Sequence, residues 1–299
     1  MSEVPAAGAS STGILTRTRG WLGNPWSRPR FLWVVGIAYV VWTLVPIVIA
    51  VLFSFNSGRS IANWQGFSTR WYVGDVSSVA QDPELRTTLL NTLRLGGMVV
   101  LISVPFGVAF AIALDRWRGK LAGASNFLVL LAFVTPEVAI GVALFLSFTQ
   151  VASAVGLGTP AQVLGLSMFE MAYPIIIVRA RLLSIGREFE EAAMDLGASP
   201  VTALRKVLLP MLTPAIIASA AIVFAVSIDD FVIVQLLNQD QSTQTIPIKI
   251  YGAARTGPLP SLNALASITL FISTALIALA VAFYRRRTSH ERRPVPLPG

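Results

Sequence analysis

Long apolar stretches constrain the fold of this 299-residue chain more than any other feature of its sequence. A helix needs about 20 apolar residues to cross the hydrocarbon core of a bilayer, and six stretches reach that length. They cover roughly residues 31–54, 92–114, 124–149, 160–179, 210–236 and 262–284. With 54% hydrophobic and 13% charged residues, the chain is far more apolar than a soluble domain. The sequence therefore predicts an all-α, polytopic membrane protein with six transmembrane helices.

The distribution of basic residues predicts how these spans are oriented. Most of the 23 Lys and Arg residues lie before the first span, after the second, between the fourth and fifth, and after the sixth. Because cytoplasmic loops carry the excess of Lys and Arg, we expect both termini in the cytoplasm. We predict that the arm at residues 1–30 and the basic, Pro-rich tail at 285–299 are disordered. A cleaved signal peptide competes as an interpretation of the first span, but that apolar run is too long for one.

The residue inventory excludes several kinds of chemistry. The chain has no cysteine, which excludes disulfides and thiolate catalysis, and its single histidine, His290, cannot form a histidine metal cluster. No phosphate-binding loop of the form GxxxxGKS or GxxxxGKT occurs. We therefore expect no catalytic residue, no metal and no cofactor in this chain. The net charge of +8 follows from membrane orientation rather than from binding of nucleic acid.

A polar segment at residues 187–210 separates the fourth and fifth apolar stretches. Its first part, Arg187–Leu196, is rich in helix-forming residues, and Gly197 permits the left-handed conformation that often ends a helix. Ser199 followed by Pro200 is typical of the N-cap and first residue of a second helix. The 187–210 segment is therefore predicted to form a helix, a turn and a helix.

The second of these helices is expected to be short. Arg205 and Lys206 suit the last turn of a helix, where cations interact favourably with the helix dipole. Leu209-Pro210 is then predicted to break the helix and open the fifth span. A solvated amphipathic loop helix is the alternative interpretation of the whole segment.

The order Glu191-Ala192-Ala193, Gly197 and Leu209-Pro210 resembles the EAA signature of the binding-protein-dependent ABC importer permeases. The resemblance implies that the 187–210 segment forms coupling helices, which dock in a groove on a cytoplasmic ATPase. The residues to which it assigns this coupling role are Glu191, Ala192, Ala193, Asp195, Gly197, Leu209 and Pro210.

Four acidic residues lie within the predicted spans, namely Glu137, Glu170, Asp229 and Asp230. Carboxylates are costly at membrane depth, so such residues normally face the interior of a helix bundle or a water-filled path. A path lined by carboxylates attracts cations and repels anions, which indicates a cationic substrate. The alternative is that each carboxyl group is protonated or hydrogen-bonded between helices. Asp229 and Asp230 are about 100° apart on a helix and cannot share one face.

The depth of these acids can be estimated from the rise of a helix, about 1.5 Å per residue. Counting back from Arg179 as the inner boundary puts Glu170 near the midplane of the membrane. Counting from Pro210 puts Asp229 and Asp230 in the outer part.

The first external loop, at residues 55–91, contains the string NWQGFSTRWY. Its aromatic residues Trp64, Phe67, Trp71 and Tyr72 suit the membrane interface, where amphipathic rings lie at the level of the headgroups. The loop also resembles that of polyamine-type permeases, where it faces an external binding protein. These four residues are therefore candidates for docking of a binding protein.

The resemblance extends over roughly residues 45–285 and includes the strings SIDD at 227–230 and IPIKIY at 246–251. Over this range the chain is similar to spermidine/putrescine importer permeases of the PotC type. It implies a MetI-like permease domain at 31–284, with its core at 87–284, in a bacterial inner membrane. It also implies a second related permease, two ATPase subunits that hold ATP and Mg²⁺, and an external binding protein that delivers a polyamine.

Other functions remain open at this point. A related ABC permease could carry ferric iron, another amine or a small organic ion. A secondary transporter usually shows a repeat within one chain, and no second EAA-like segment occurs here. A cation channel could use acidic rings but needs no docking loop, and a membrane scaffold needs no buried acids.

Overall fold

The computed structural model describes residues 30–116, 127, 129, 131, 134–256 and 259–291. It is almost entirely helical in this part of the chain, as predicted. The α-helices discussed below are α1 (Arg30–Phe53), α2 (Pro83–Arg116), α3 (Glu137–Leu146), α4 (Thr159–Glu170), α5 (Ala172–Ile185), α6 (Glu188–Asp195), α7 (Pro200–Ala203), α8 (Leu209–Asp229), α9 (Val232–Leu236), α10 (Ile246–Thr256) and α11 (Pro260–Glu291). The chain divides between Leu52 and Phe53 into two compact units, which are described separately.

The first unit is described from Arg30 onward and consists of α1 up to Leu52. Side chains from Leu32 to Ile49 are all exposed and almost all apolar, and Pro46 lies inside the helix. A helix that is apolar on every side suits a lipid or protein environment rather than water. The first predicted span is therefore confirmed as a helix long enough to cross a membrane.

The second unit is a helical bundle that contains the other long apolar helices. α2, α4 with α5, α7 with α8, and α11 are each long and apolar enough to span a bilayer. A shorter apolar helix covers Glu137–Val151, and its last turn, Ser147–Val151, is a π-helix. Most of the earlier half of the predicted third span lies outside the described residues.

The core of the second unit lies where α2, α5 and α8 pack against one another. Val99 of α2, Val178 of α5 and Leu212 and Val223 of α8 are fully buried there. α11 packs on α8, and α9 contacts α3 and α4. A smaller apolar cluster around Trp71 joins the first external loop to α2, α10 and α11.

Close contact between these helices depends on glycine. A Cβ atom on Gly107 of α2 would lie 2.4 Å from Cγ of Pro174 on α5. A Cβ atom on Gly96 of α2 would lie 2.6 Å from Cγ2 of Ile228 on α8. A Cβ atom on Gly97, by contrast, would have no atom of the described neighbouring residues within 4 Å. The absence of a side chain at two positions therefore sets how closely α2 approaches its neighbours.

The predicted break at Leu209-Pro210 is wrong. Helical structure continues from Pro200 to Asp229 through a π-helical turn at Leu204–Leu208. The backbone N–H of Leu209 donates to the carbonyl of Leu204, which is the wider π pattern. Pro210 has no N–H to donate, and a π turn just before it accommodates the missing bond without ending the helix. Arg205 and Lys206 accordingly lie inside this helix and not at its end.

Three other boundaries differ from the predictions. α2 begins at Pro83, which shortens the first external loop. The second external loop is not irregular throughout, because it contains a 3₁₀ turn at Gln241–Thr243 and the helix α10. The last helix runs to Glu291, so the start of the predicted disordered tail is helical. Apolar content marks only the part of a helix inside the bilayer, and polar extensions escape that signal. Residues 1–29 and 292–299 lie outside the described residues.

Candidate functional site

The turn in the 187–210 segment is a Schellman motif, in which the last carbonyl groups of α6 are capped by the backbone that follows. Ala198 N–H donates to Ala193 O at 3.0 Å, and Gly197 N–H donates to Met194 O at 2.9 Å. Gly197 has φ of +89°, in the left-handed region that favours glycine. The predicted helix stop at Gly197 is confirmed.

The start of α7 is also as predicted. The hydroxyl of Ser199 accepts the backbone N–H of Thr202 at 3.3 Å, and Pro200 is the first helical residue. Helix, turn and helix therefore follow from local capping chemistry, independently of any partner.

Most residues assigned to ATPase coupling lie on the surface. Glu191, Ala192, Asp195 and Gly197 are exposed, and Ala193 is half-buried. Pro210 is exposed as well, whereas Leu209 is half-buried and packs on the hydrophobic core.

Apolar side chains that the sequence reasoning missed are exposed beside these residues. They are Phe189, Met194, Leu196 and Val201, and Leu196 is 90% exposed. Exposed large apolar residues grouped on a polar segment indicate a contact surface. The sequence contains a signal for them, because these apolar residues interrupt an otherwise polar segment. That pattern does not distinguish an exposed position from a buried one.

Four charged residues join the 187–210 segment to the inner end of α2. Arg116 of α2 forms ion pairs with Asp115, at 3.2 Å, and with Glu190 of α6. Arg187 donates a 2.6 Å hydrogen bond to the backbone carbonyl of Asp115 and lies 3.6 Å from its carboxylate. Opposite charges therefore alternate across this contact, which the sequence reasoning did not foresee.

Three of the four intramembrane acids meet where helices are interrupted. Glu137 is the first residue of α3, after Pro136, and Glu170 is the last residue of α4. Asp230 directly follows α8 and has an extended backbone. Interrupted helices at membrane depth are tolerated where the freed polar groups are buried in protein or line a cavity.

Glu170 is fully buried, and its two carboxylate oxygens differ in their surroundings. Oε2 accepts a 2.5 Å hydrogen bond from the hydroxyl of Ser227 on α8. Oε1 has no hydrogen-bond partner among the described residues. One acceptor atom is therefore unsatisfied at a place where leaving it so is costly.

Asp230 is largely buried and has a structural contact in addition to its charge. Its Oδ1 accepts the backbone N–H groups of Ile233 and Val234, both at 3.1 Å, and so caps α9. Asp230 and Glu137 act electrostatically on each other, and both act on Glu170. Carboxylates this close repel one another unless a proton or a cation lies between them.

The fourth acid lies elsewhere. Asp229 is exposed and lines a cavity of about 640 Å³ together with Phe231, Tyr251 and Thr269. The neighbouring rings of Phe231 and Tyr251 have centroids 4.6 Å apart. Asp229 and Asp230 thus face different surroundings, as their angular separation predicted.

The depths of the acids stay predictions, because neither residue from which they were counted ends a helix. α5 continues to Ile185, well past Arg179, and the helix that carries Ser227 begins at Pro200, well before Pro210. Both residues used as boundaries are therefore inside helices. The hydrogen bond between Ser227 and Glu170 brings the ends of α4 and α8 into contact.

These acids have no basic partner in the described part of the chain. No ion pair between described residues involves Glu137, Glu170, Asp229 or Asp230. The described residues also contain no group of three or more His, Cys, Asp or Glu side chains arranged to hold a metal ion.

The first external loop is a compact, hydrogen-bonded structure, and this changes the role of one predicted docking residue. Trp71 is fully buried, donates from Nε1 to the backbone carbonyl of Asn56 at 2.6 Å, and lies under the guanidinium of Arg70. Its predicted contact with a binding protein is wrong for this structure, because its ring is the core of the loop. Arg70 also forms an ion pair and a hydrogen bond with the carboxyl group of Asp75. The hydrogen bond from Arg70 is the largest cause that lowers the pKa of Asp75.

The other aromatic residues of the loop remain accessible. Phe67 is 73% exposed and Trp64 is 49% exposed, while Tyr72 is half-buried with its hydroxyl 2.7 Å from that of Ser54. Val73 and Val76, which the sequence reasoning did not select, are exposed as well. The loop therefore presents an apolar outer surface on a rigid base.

Solved structures of ABC importers share this fold. A bacterial ABC transporter that imports the acidic polysaccharide alginate aligns with a TM-score of 0.67 at 18% identity, over 90% of this chain and 99% of that chain. The MetNI methionine ABC transporter in an inward-facing conformation aligns with a TM-score of 0.55 at 18% identity, over 67% of this chain and 94% of that chain. The expected MetI-like fold is confirmed.

Sequence comparison identifies relatives over nearly the whole chain. The putrescine transport system permease protein PotI of Escherichia coli K12 is 30% identical over 88% of this chain and 94% of its own length. The spermidine/putrescine permease PotC of Haemophilus influenzae is 30% identical over 87% and 96%. The molybdenum permease ModB of Mycobacterium bovis is 26% identical over 86% and 95%.

A family model for the inner membrane component of binding-protein-dependent transport systems matches residues 103–289. The match includes the 187–210 segment and the three acids that meet in the structure. Members of this family are membrane components of ABC importers and not enzymes. The chain belongs to the family of binding-protein-dependent transport system inner membrane components.

Proposed function

We propose that this chain is the permease subunit that carries a polyamine, such as putrescine or spermidine, across the membrane in an ATP-driven importer. The relatives PotI and PotC support this substrate class by their own substrates. The observation that carries the proposal is the convergence of Glu137, Glu170 and Asp230 without a basic partner among the described residues. Polyamines carry several positive charges, which unpaired carboxylates attract.

The proposed partners correspond to the two surfaces described above. An external binding protein delivers the substrate to the exposed rings of Trp64 and Phe67. Two ATP-binding subunits, which hold ATP and Mg²⁺, dock on the 187–210 segment of this chain and on that of a second related permease. The exposed apolar residues around Glu191 and Gly197 support such a contact.

In the proposed cycle, closure of the ATP-binding subunits moves the 187–210 segment and opens the spans to the outside. The polyamine passes Asp229 in the outer cavity and then the buried carboxyl groups, with no bond in the substrate broken. Because Glu170 is fully buried, the path past it is closed in this structure. Its exposure in another conformation is the step that lets the substrate through.

A different substrate is the competing proposal, since the molybdenum permease is also a relative. Ferric iron, another amine and an organic ion are further candidates. The carboxyl cluster favours cations over acidic substrates such as alginate. The lack of a metal-holding group among the described residues favours amines over ferric iron.

Uptake of labelled putrescine and spermidine tests the proposal in cells that express this chain with its neighbouring subunits. We expect saturable uptake that stops on ATP depletion and is inhibited by unlabelled polyamines but not by ferric iron or amino acids. Uptake that depends on ATP but is inhibited by another substrate would overturn the polyamine assignment. Uptake that is indifferent to ATP would overturn the importer mechanism.

A further inference from the structure

We infer that α2 is a rigid strut that makes the 187–210 segment and the outer helix α10 move together. This inference rests on the proposed function, in which ATP-binding subunits push on the 187–210 segment. It assigns positioning roles to residues at both ends of α2. The inner joint consists of Asp115, Arg116, Arg187 and Glu190, and the outer joint of Asn91, Thr92 and the backbone at 242–246.

The inner joint holds α6 to α2 by charge. Arg116 bridges Asp115 of its own helix and Glu190 of α6, while Arg187, just before α6, reaches back to Asp115. These side chains are partly buried, so solvent screens their attraction less than that of fully exposed pairs. Several pairs acting as a network also resist displacement better than one isolated pair. The end of α2 therefore follows α6 when α6 is pushed.

The outer joint holds α10 to α2 by hydrogen bonds. The hydroxyl of Thr92 is fully buried and accepts the backbone N–H of Ile246, the first residue of α10, at 2.9 Å. The side-chain amide of Asn91 donates to the carbonyl of Ser242 at 2.6 Å and to that of Gln244 at 3.3 Å. Separation would break these bonds and would leave the buried hydroxyl of Thr92 without the N–H group that it accepts. Lys249 of α10 adds an ion pair with Glu84.

α2 is one helix from Pro83 to Arg116, with Pro105 inside it, and about 38 Å of this helix separates Asn91 from Arg116. Its backbone is in close contact with Pro174 of α5 at Gly107 and with Ile228 of α8 at Gly96, where α2 itself has no side chain. Tyr251 of α10 lines the cavity that contains Asp229. A push on the 187–210 segment therefore reaches the outer cavity through one helix rather than through the loops between helices.

Spin labels test the inner joint without requiring transport. The natural chain has no cysteine, so Leu196→Cys and Leu101→Cys on α2 are the only labelling sites, and both positions are exposed. In the purified full chain we expect one narrow distance distribution. Glu190→Lys should at least double the width of this distribution. Arg116→Glu combined with Glu190→Lys should reverse at least half of that increase in width. The matched control Glu188→Lys, with the same charge change on α6, should leave the width unchanged.

Transport in the assembled importer tests both joints. We expect Glu190→Lys and Thr92→Val each to lower the ratio of polyamine imported to ATP hydrolysed by at least about threefold, and the charge-swapped pair to recover it in part. Assembly is checked by copurification of the ATP-binding subunits, and Glu190→Gln replaces Glu190→Lys if the latter does not assemble. An unchanged label distribution in Glu190→Lys, or an equal effect of Glu188→Lys, overturns the strut. Absence of ATP-driven polyamine uptake by the unaltered protein overturns the proposed function instead, while the label distances still decide the strut.

Discussion

The hydroxyl of Ser227 on α8 donates a 2.5 Å hydrogen bond to Oε2 of Glu170 at the end of α4. The bond links two spans at the point where both helices end or bend. Glu170 is fully buried, and its other oxygen lacks a hydrogen-bond partner among the described residues. Ser227 is thus the one described side chain that hydrogen-bonds this carboxyl group, which makes the pair a sensitive point for both stability and transport.

Ser227→Ala should lower the thermal stability of the purified complex. A hydrogen bond contributes about 1 kcal/mol net, and its loss leaves a buried carboxyl group without a partner, which costs about 1–3 kcal/mol. Ser267→Ala is the matched control, because among the described residues the Ser267 hydroxyl bonds only the carbonyl of Asn263 one turn earlier on α11, as the Ser227 hydroxyl also bonds that of Val223 on α8. We expect the melting temperature to fall clearly for the first variant and to change little for the second. Equal melting temperatures would mean that the bond to Glu170 adds nothing.

Asp230→Asn separates the charge of Asp230 from its structural role. Asparagine keeps an oxygen that can accept the N–H groups of Ile233 and Val234, so α9 should remain capped. Polyamine uptake should fall at least about tenfold because one carboxylate of the cluster is gone. Asp230→Ala should lose uptake and also about 1 kcal/mol of stability, the usual contribution of a cap. Normal uptake of a polycation by Asp230→Asn would exclude this carboxylate from the path.

Sequence reasoning succeeded where the physical signal is local. Apolar length located the spans, and the Gly197 stop and Ser199 cap followed from the conformations that those residues prefer. It failed at Trp71, because an aromatic ring at a membrane interface and one in the core of a loop have the same sequence signature. It failed at Pro210 because a π turn in the preceding residues removes the break.

The meeting of the acids could not be predicted for a different reason. Glu137, Glu170 and Asp230 come from three separate parts of the chain, and each was recognisable as a costly carboxylate. Their proximity depends on where α3 begins and where α4 and α8 end. Tertiary packing determines these points, and no periodicity in the sequence records them.

Gly107→Val should destabilise the bundle. Its Cβ would lie 2.4 Å from Cγ of Pro174 and 3.1 Å from the backbone carbonyl of Met171, and neither group is a flexible side-chain end. Overpacking of this kind costs about 1–3 kcal/mol. Gly97→Ala, on the same helix with nothing within 4 Å, should be neutral or slightly stabilising, because alanine favours helix. Thermal unfolding in detergent measures both, and a stable Gly107→Val would show that α2 and α5 can separate at no cost.

Gly197→Val should uncouple ATP hydrolysis from uptake. Gly197 has φ of +89°, and a β-branched residue forced into that region costs about 1–2 kcal/mol or more. The strain would displace the Schellman turn that joins α6 to α7. Because this turn lies outside the spans, the substitution should not prevent membrane insertion. We expect uptake per ATP hydrolysed to fall at least about fivefold at normal membrane abundance.

Asparagine provides the control for that substitution, because it tolerates the left-handed conformation better than other non-glycine residues. Gly197→Asn should therefore retain most of the coupling that Gly197→Val loses. Coupling retained in both variants would show that the turn geometry is irrelevant to docking. Coupling lost equally in both would instead assign the requirement to the lack of a side chain at position 197, where a Cβ atom would have no described residue of this chain within 4 Å and an ATP-binding subunit would be the contact. The two variants thus distinguish a turn that shapes the 187–210 segment from a surface that an ATP-binding subunit touches directly.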